Sequence, residues 1–394
     1  MAPQTIYLNT ISTDIVDVNI GKNELGYDAW GRGKTINDRS LFHGVWTYDV
    51  SARLWIERVD NVNVPIETNF TSENGMLKCQ GANGELRYLH SRRHPRYQPN
   101  RGHLFSTSMI LPDASLNVNQ EFGLISPHAG VFFRVRSGNI YAVRRTQFNS
   151  VITDYEELIE VPSTLDLTKG NVYDIQMQWR GVGNIKFFIN LELVHTMNLL
   201  GTLNEVSIIQ PALPAAFVLD GLATMYSVCV DITTEGGQKE GRQYISTSTS
   251  TDSGSIALSG FNDPVLAIRL ADDYRGQPNN RDVAMTRVTG YSDQKSILRI
   301  WTTVAGIGIT GGTWNNIFTD NIQVSEDITS IDTNLCNLIH SRRLDVDTPE
   351  EITNPDAMYG DFYLTHGDYI IVTIHRENGG SSLSGATIEM AEEL

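Results

Sequence analysis

Only three cysteines occur in 394 residues, Cys79, Cys229 and Cys336, far apart and with no C-x-x-C spacing. A disulfide framework or a structural zinc site needs recurring, closely spaced sulfurs, so reduced and buried thiols are expected instead. Basic residues are scarce as well: 30 Lys and Arg stand against 46 Asp and Glu, a formal net charge of −16. Nucleic-acid binders carry a basic footprint, and an anionic membrane repels such a chain, so neither partner is expected. No run approaches the roughly 18 apolar residues of a membrane span, and the opening Met-Ala-Pro-Gln-Thr lacks the basic and apolar regions of a signal peptide. Sustained 3.6-residue periodicity is missing, which excludes a coiled-coil shaft. No fixed-period repeat is visible.

What the chain does have is period-two alternation. Tyr173, Ile175, Met177 and Trp179 fall on one face of an extended segment, and Asp174, Gln176 and Gln178 on the other. That is a strand with one buried face. Gly181 and Gly183 permit a reversal into Ile185-Lys186-Phe187-Phe188-Ile189. Val131 to Arg136 and Ile140 to Arg144 form a second hairpin across Ser137-Gly138-Asn139, where the turn favours positive φ. Short strands separated by turn signals predict an all-β protein of sandwich type. Charged residues make up 19%, below the usual quarter, which suits strands and turns rather than helices. Four segments are expected: an extended arm over 1–45, a β-sandwich over 46–235, a Gly/Ser/Thr-rich linker over 236–260, and a second β-sandwich-like domain over 261–394. Only Ser325 to Ile331 and Pro349 to Met358 could hold a helical turn.

Candidate chemistry is sparse. Asp154 and Glu156 share one face of a strand, about 7 Å apart by strand geometry, within the range of a glycosidase pair. The Glu-x-Asp-x-Glu pattern of such enzymes is absent, so no catalytic residue is assigned and no enzyme is expected. His90 and His94 stand at i and i+4, but Pro95 biases His94 to extended backbone and the neighbouring arginines repel a cation. Neither a metal nor any other cofactor is expected. Arg92, Arg93, Arg96 and Arg101, with Tyr97, form a basic cluster in an acidic chain. Arginine and tyrosine are enriched at protein interfaces, which makes these five residues subunit-contact candidates. A solvated loop or pairing within the domain is the alternative. Trp314, in Gly-Gly-Thr-Trp-Asn-Asn, is the candidate glycan contact, as the tryptophan with the most turn-like surroundings.

Several landmarks stand in register: Tyr27-Asp28-Ala29-Trp30-Gly31-Arg32 with Ser40-Leu41-Phe42, the Arg92–Arg101 segment, Gly130-Val131-Phe132-Phe133 and Tyr141-Ala142-Val143-Arg144-Arg145. They continue with Leu165-Asp166-Leu167-Thr168-Lys169, Gln178-Trp179-Arg180-Gly181, Pro211-Ala212-Leu213-Pro214, Glu235-Gly236-Gly237 and Pro264 to Leu270. Together these resemble a family of tailed-bacteriophage virion proteins with a lectin-like, concanavalin A-like β-sandwich. The resemblance implies a virion structural protein made in the bacterial host's cytoplasm, a capsid decoration, head-fibre or tail accessory component. Its partners would be other virion proteins and further copies of itself, as a homo-oligomer. The alternative it implies is a tail or fibre adhesin that binds a host-surface glycan.

Overall fold

The computed structural model describes residues 38–393 apart from short internal stretches, the longest being 199–207 and 354–362. Trp30 and Trp179 lie outside the described residues. All regular elements among the described residues are strands, as the period-two patterning predicts. They build two sandwiches, each with its own core.

In the first, a front sheet runs in the order Val151–Leu158, Asn139–Phe148, Gly130–Arg136, Asn119–Ile125, Ala215–Asp220, Leu86–Ser91, Trp55–Val59, Val62–Val64. The back sheet has Glu192–Asn198 at one edge and includes Asn171–Met177, His103–Ile110 and Thr224–Glu235. Between the sheets, Phe122 and Phe133 stack at 5.5 Å, and Tyr173 meets their faces edge-on at 4.9 and 5.2 Å. Phe187 closes the group at 5.1 Å from Phe133. Each buried aromatic of this size contributes about 1.5–3 kcal/mol by leaving water, so this cluster anchors the two sheets to one another. The Ser137–Gly138 turn has φ of 52° and 78°, the left-handed pair that a tight hairpin requires.

Three expectations change. Asp38–Val45, placed in the arm by sequence, is a strand paired along Thr224–Glu235. It brings buried Leu41 and Phe42 to the body, and the Phe42 ring packs edge-on against Trp55 at 5.2 Å. Within the expected linker, Arg242–Ser248 and Ile256–Leu258 both pair with Ser382–Glu393. The Ser/Thr run has little to bury, yet its backbone can complete a sheet edge. Of the two segments that could hold a helical turn, Ser325 to Ile331 contains the strand Ile328–Ile331 and Pro349 to Met358 contains the strand Glu350–Thr353, each with a partner strand. Residues 354–358 lie outside the described residues.

The second sandwich packs a sheet ordered Asn315–Ile317, Ile322–Ser325, Asp263–Leu270, Asp368–Arg376, Ser296–Val304, Asn337–Leu344 against one containing Val283–Ser292 and Ser382–Glu393. Leu266, Ile268, Ile300, Val372 and Ile388 lie in its core. Of the cysteines, Cys79 and Cys336 are buried and Cys229 is exposed, and all three are free thiols.

Candidate functional site

The outward face of the front sheet carries the densest chemistry in the described chain. Antiparallel register puts Leu158, Tyr141, Arg134, Glu121, Val218, Tyr88 and Arg58 in one row across seven strands. The neighbouring row holds Glu156, Val143, Phe132, Gly123, Ala216 and His90. Phe132 faces outward and is nevertheless fully buried. Gly123 opposite it leaves the room, since a Cβ there would come within 2.7 Å of the Phe132 Cα. Two guanidiniums cover the ring, Arg145 at 5.0 Å and Arg134 at 5.4 Å from its centroid. Delocalised, weakly hydrated guanidinium planes suit that position better than ammonium groups would.

Those arginines organise the acids. Arg145 grips Asp154 with two hydrogen bonds, Nε to Oδ1 at 2.8 Å and Nη2 to Oδ2 at 2.9 Å. Arg134 donates from Nε to Glu121 at 2.7 Å, from Nη2 to Asp154 at 2.6 Å, and from Nη1 to Glu156. Arg136 reaches the other oxygen of Glu156 at 3.2 Å, and Arg145 also donates to the Tyr88 hydroxyl at 3.2 Å. Three arginines thus balance three carboxylates on one plate. Burial raises the pKa of Glu121 against the opposing pull of Arg145 and Arg134. For Asp154 burial pushes the same way but the hydrogen bonds from Arg145 and Arg134 win, so its pKa is lowered. Two acids with opposed shifts on one face are the ingredients of acid and nucleophile roles. Here each accepts from guanidinium groups, which a substrate would have to displace.

The sequence foresaw that Asp154 and Glu156 share a face, and both do point to Arg134. It missed Glu121 and Arg145, whose part depends on lateral register between strands distant in the chain. The only available signal was parity: Arg134 and Arg136 alternate with the core residues Phe133 and Val135.

The arginine cluster lies elsewhere and is turned largely into its own chain. Arg92 pairs with Asp368 of the second sandwich, and Arg93 donates to the Leu41 carbonyl at 2.6 Å. Tyr97 is buried with its ring 5.4 Å from that of His103, while Arg96 and Arg101 are half-buried. His90 and His94 are both buried with ring centroids 6.0 Å apart, and His90 Nδ1 bonds the Ser91 carbonyl at 3.0 Å. No group of three or more potential metal ligands occurs among the described residues.

Trp314 is half-buried beside the second sandwich. The Arg269 guanidinium lies 4.6 Å from its ring centroid, and Tyr369 meets it edge-on at 5.4 Å. Arg269 donates to Gln323 at 2.7 Å and to the Tyr369 hydroxyl at 2.9 Å, and Gln323 donates onward to Asn316 at 2.9 Å.

No protein-family model matches the chain, and no curated protein does. Solved structures similar to it include an endo-1,3-β-glucanase from Streptomyces sioyaensis, at 10% identity over 51% of this chain and 97% of the other, with a TM-score of 0.37. An endo-acting O-glycanase structure from the human gut microbiota matches at 12% identity over 49% and 98%, with a TM-score of 0.38. β-Agarase B from Zobellia galactanivorans matches at 9% identity over 50% and 93%, with a TM-score of 0.37. The lectin-like sandwich expectation fits these neighbours; a phage family is not among them. The expectation that the chain is not an enzyme is corrected on this finding, because the neighbours are glycan-cleaving enzymes. At such identities and TM-scores the likeness assigns no reaction or substrate to this chain.

Proposed function

We propose that this chain is a structural component of a tailed-phage particle that works through assembly contacts, and that its front-sheet edge strand, Val151–Leu158, pairs with a second copy. The observation that carries this reading is the exposure of that strand: Val151 is 63% exposed, Ile152 46%, Tyr155 41% and Leu158 55%. An eight-residue strand at the sheet edge, with no further strand beside it among the described residues, is a template for strand addition. Natural edges are commonly blunted by lysine or proline, and this one has neither. Phe148 at the hairpin and Leu191 and Leu193 at the neighbouring back-sheet edge extend the apolar surface. His195 binds Glu157 at 2.8 Å and ties the two edges together. Asp154 and Glu156 are paired with arginines within the chain, so these two acids present little net charge to an identical strand.

Light scattering tests the contact. The wild-type chain is expected to self-associate at micromolar concentration, and Ile152→Lys with Tyr155→Lys is expected to weaken this at least tenfold with an unchanged circular dichroism spectrum. A wild-type monomer, or a variant that associates equally well, sinks the edge assignment. Absence of the chain from purified phage particles by mass spectrometry sinks the virion placement. Reducing ends released from host-surface polysaccharide, and lost in Asp154→Asn, assign the arginine–carboxylate plate to catalysis instead.

A further inference from the structure

We propose that the second sandwich carries a binding site for an uncharged saccharide, with Trp314 as the stacking ring and Asn316, Gln323 and Tyr369 as the polar groups around it. This goes beyond the assembly reading and is independent of it, since it uses the other sandwich.

The ring is held by its surroundings. Gly311 and Gly312 have φ of 79° and 106°, left-handed values that side chains rarely adopt, and they deliver the chain into Thr313 and Trp314. The Asp327 carboxylate fixes this loop by accepting from the Thr313 amide at 2.6 Å and the Ser325 hydroxyl at 2.8 Å. Arg269 fills the corner between Trp314 and Tyr369, whose planes stand 76° apart. Because the corner is locked by the bonds of Arg269 to Gln323 and Tyr369, little side-chain freedom remains to be lost on binding. Pyranose rings offer C–H faces to aromatic rings and hydroxyls that both donate and accept. Amides and a phenol match them, since each can donate and accept. Asn315 and Asn316 are exposed at the rim, and Gln323 is half-buried behind them.

Charge selects the class. Among the described groups of the corner, Arg269 brings one positive charge, bonded to the neutral Gln323 and Tyr369, and Asp327 brings one negative charge, so the corner offers no excess of positive charge. Asp327 at the rim stays ionised, with hydrogen bonds from Thr313 holding its pKa down to about 2. With a net charge of −16 on the whole chain, a polyanionic glycan is repelled.

Isothermal titration calorimetry of the full chain with maltotriose, cellotriose, tri-N-acetylglucosamine and trigalacturonate is the test. Saturable binding of at least one uncharged trisaccharide is expected, weakened at least tenfold by Trp314→Ala and several-fold by the exposed-rim variant Asn316→Ala, with Trp314→Phe largely retained. Thermal melts of each variant separate loss of the ring from loss of the fold. No binding to any uncharged trisaccharide, binding to trigalacturonate alone, or unchanged binding in folded Trp314→Ala and Asn316→Ala overturns the proposal.

Discussion

Arg134→Leu is expected to destabilise the first sandwich by about 3–5 kcal/mol, the usual result of removing one partner from a buried ion pair. Glu121 is 3% exposed, and Arg134 supplies its shortest contacts. Arg145 is the other cation near it, at 3.6 Å. The leucine also leaves Asp154 and Glu156 short of a shared donor and uncovers Phe132 on one side. Adding Glu121→Gln is expected to restore at least half of the loss, because the stranded charge is then gone. Urea denaturation at pH 7 measures both. A loss below about 1 kcal/mol in the single variant would put the plate in the range of surface pairs and contradict its buried geometry.

Acid is expected to weaken the fold well before most carboxylates protonate. His103 is buried, with its Nε2 unpartnered, and burial pushes its pKa down from 6.5 to about 4. Its native state therefore stays neutral while the unfolded chain takes up a proton. The associated stability is complete above pH 6.5 and is lost as the pH falls towards 4, about 3 kcal/mol over that interval and about 2 kcal/mol of it by pH 5. His90 and His128 shift in the same direction, also led by burial. Glu121 works the other way: its raised pKa makes its ionised form costly, so its protonation offsets part of the loss at lower pH. Urea midpoints at pH 7.5 and pH 5 should differ accordingly, and His103→Leu should reduce the difference. A stability profile that is flat between those values would show that these rings meet protons in the folded state.

The elements of the fold were legible where apolar and polar residues alternate, even where the polar face, as at Asp174 and Gln176, is buried as well. Tyr173, Ile175 and Met177 announce their strand by themselves, and Ser137-Gly138 announces its turn. What stayed hidden depends on partners far along the chain. Ser246 to Ser248 looks like linker because its side chains carry no apolar pattern, but backbone pairing to Thr387–Glu389 needs none. Ser325 to Ile331 was ambiguous because so short a stretch satisfies either period. The functional surface was less legible still. Asp154 and Glu156 could be placed on one face from parity alone, whereas Glu121 joins them only through the register Glu121 to Arg134 across the sheet. Arg92 looked like a ligand for another subunit, and its acidic partner is Asp368 in the same chain, 276 residues away.

On the proposed self-pairing, the Val151–Leu158 edge has a consequence for storage of the protein. Two copies approaching through Val151–Leu158 each carry a net charge of −16, while the contact itself is apolar and short-ranged. At about 0.01 M salt the repulsion extends roughly 30 Å, and at 0.1 M it shrinks to roughly 10 Å. On the proposed pairing, dilute buffer is therefore expected to keep edge-bearing copies apart, and added salt to let them pair. An interface built on intermolecular salt bridges responds in the opposite sense, so the sign of the salt dependence reports which force closes this one.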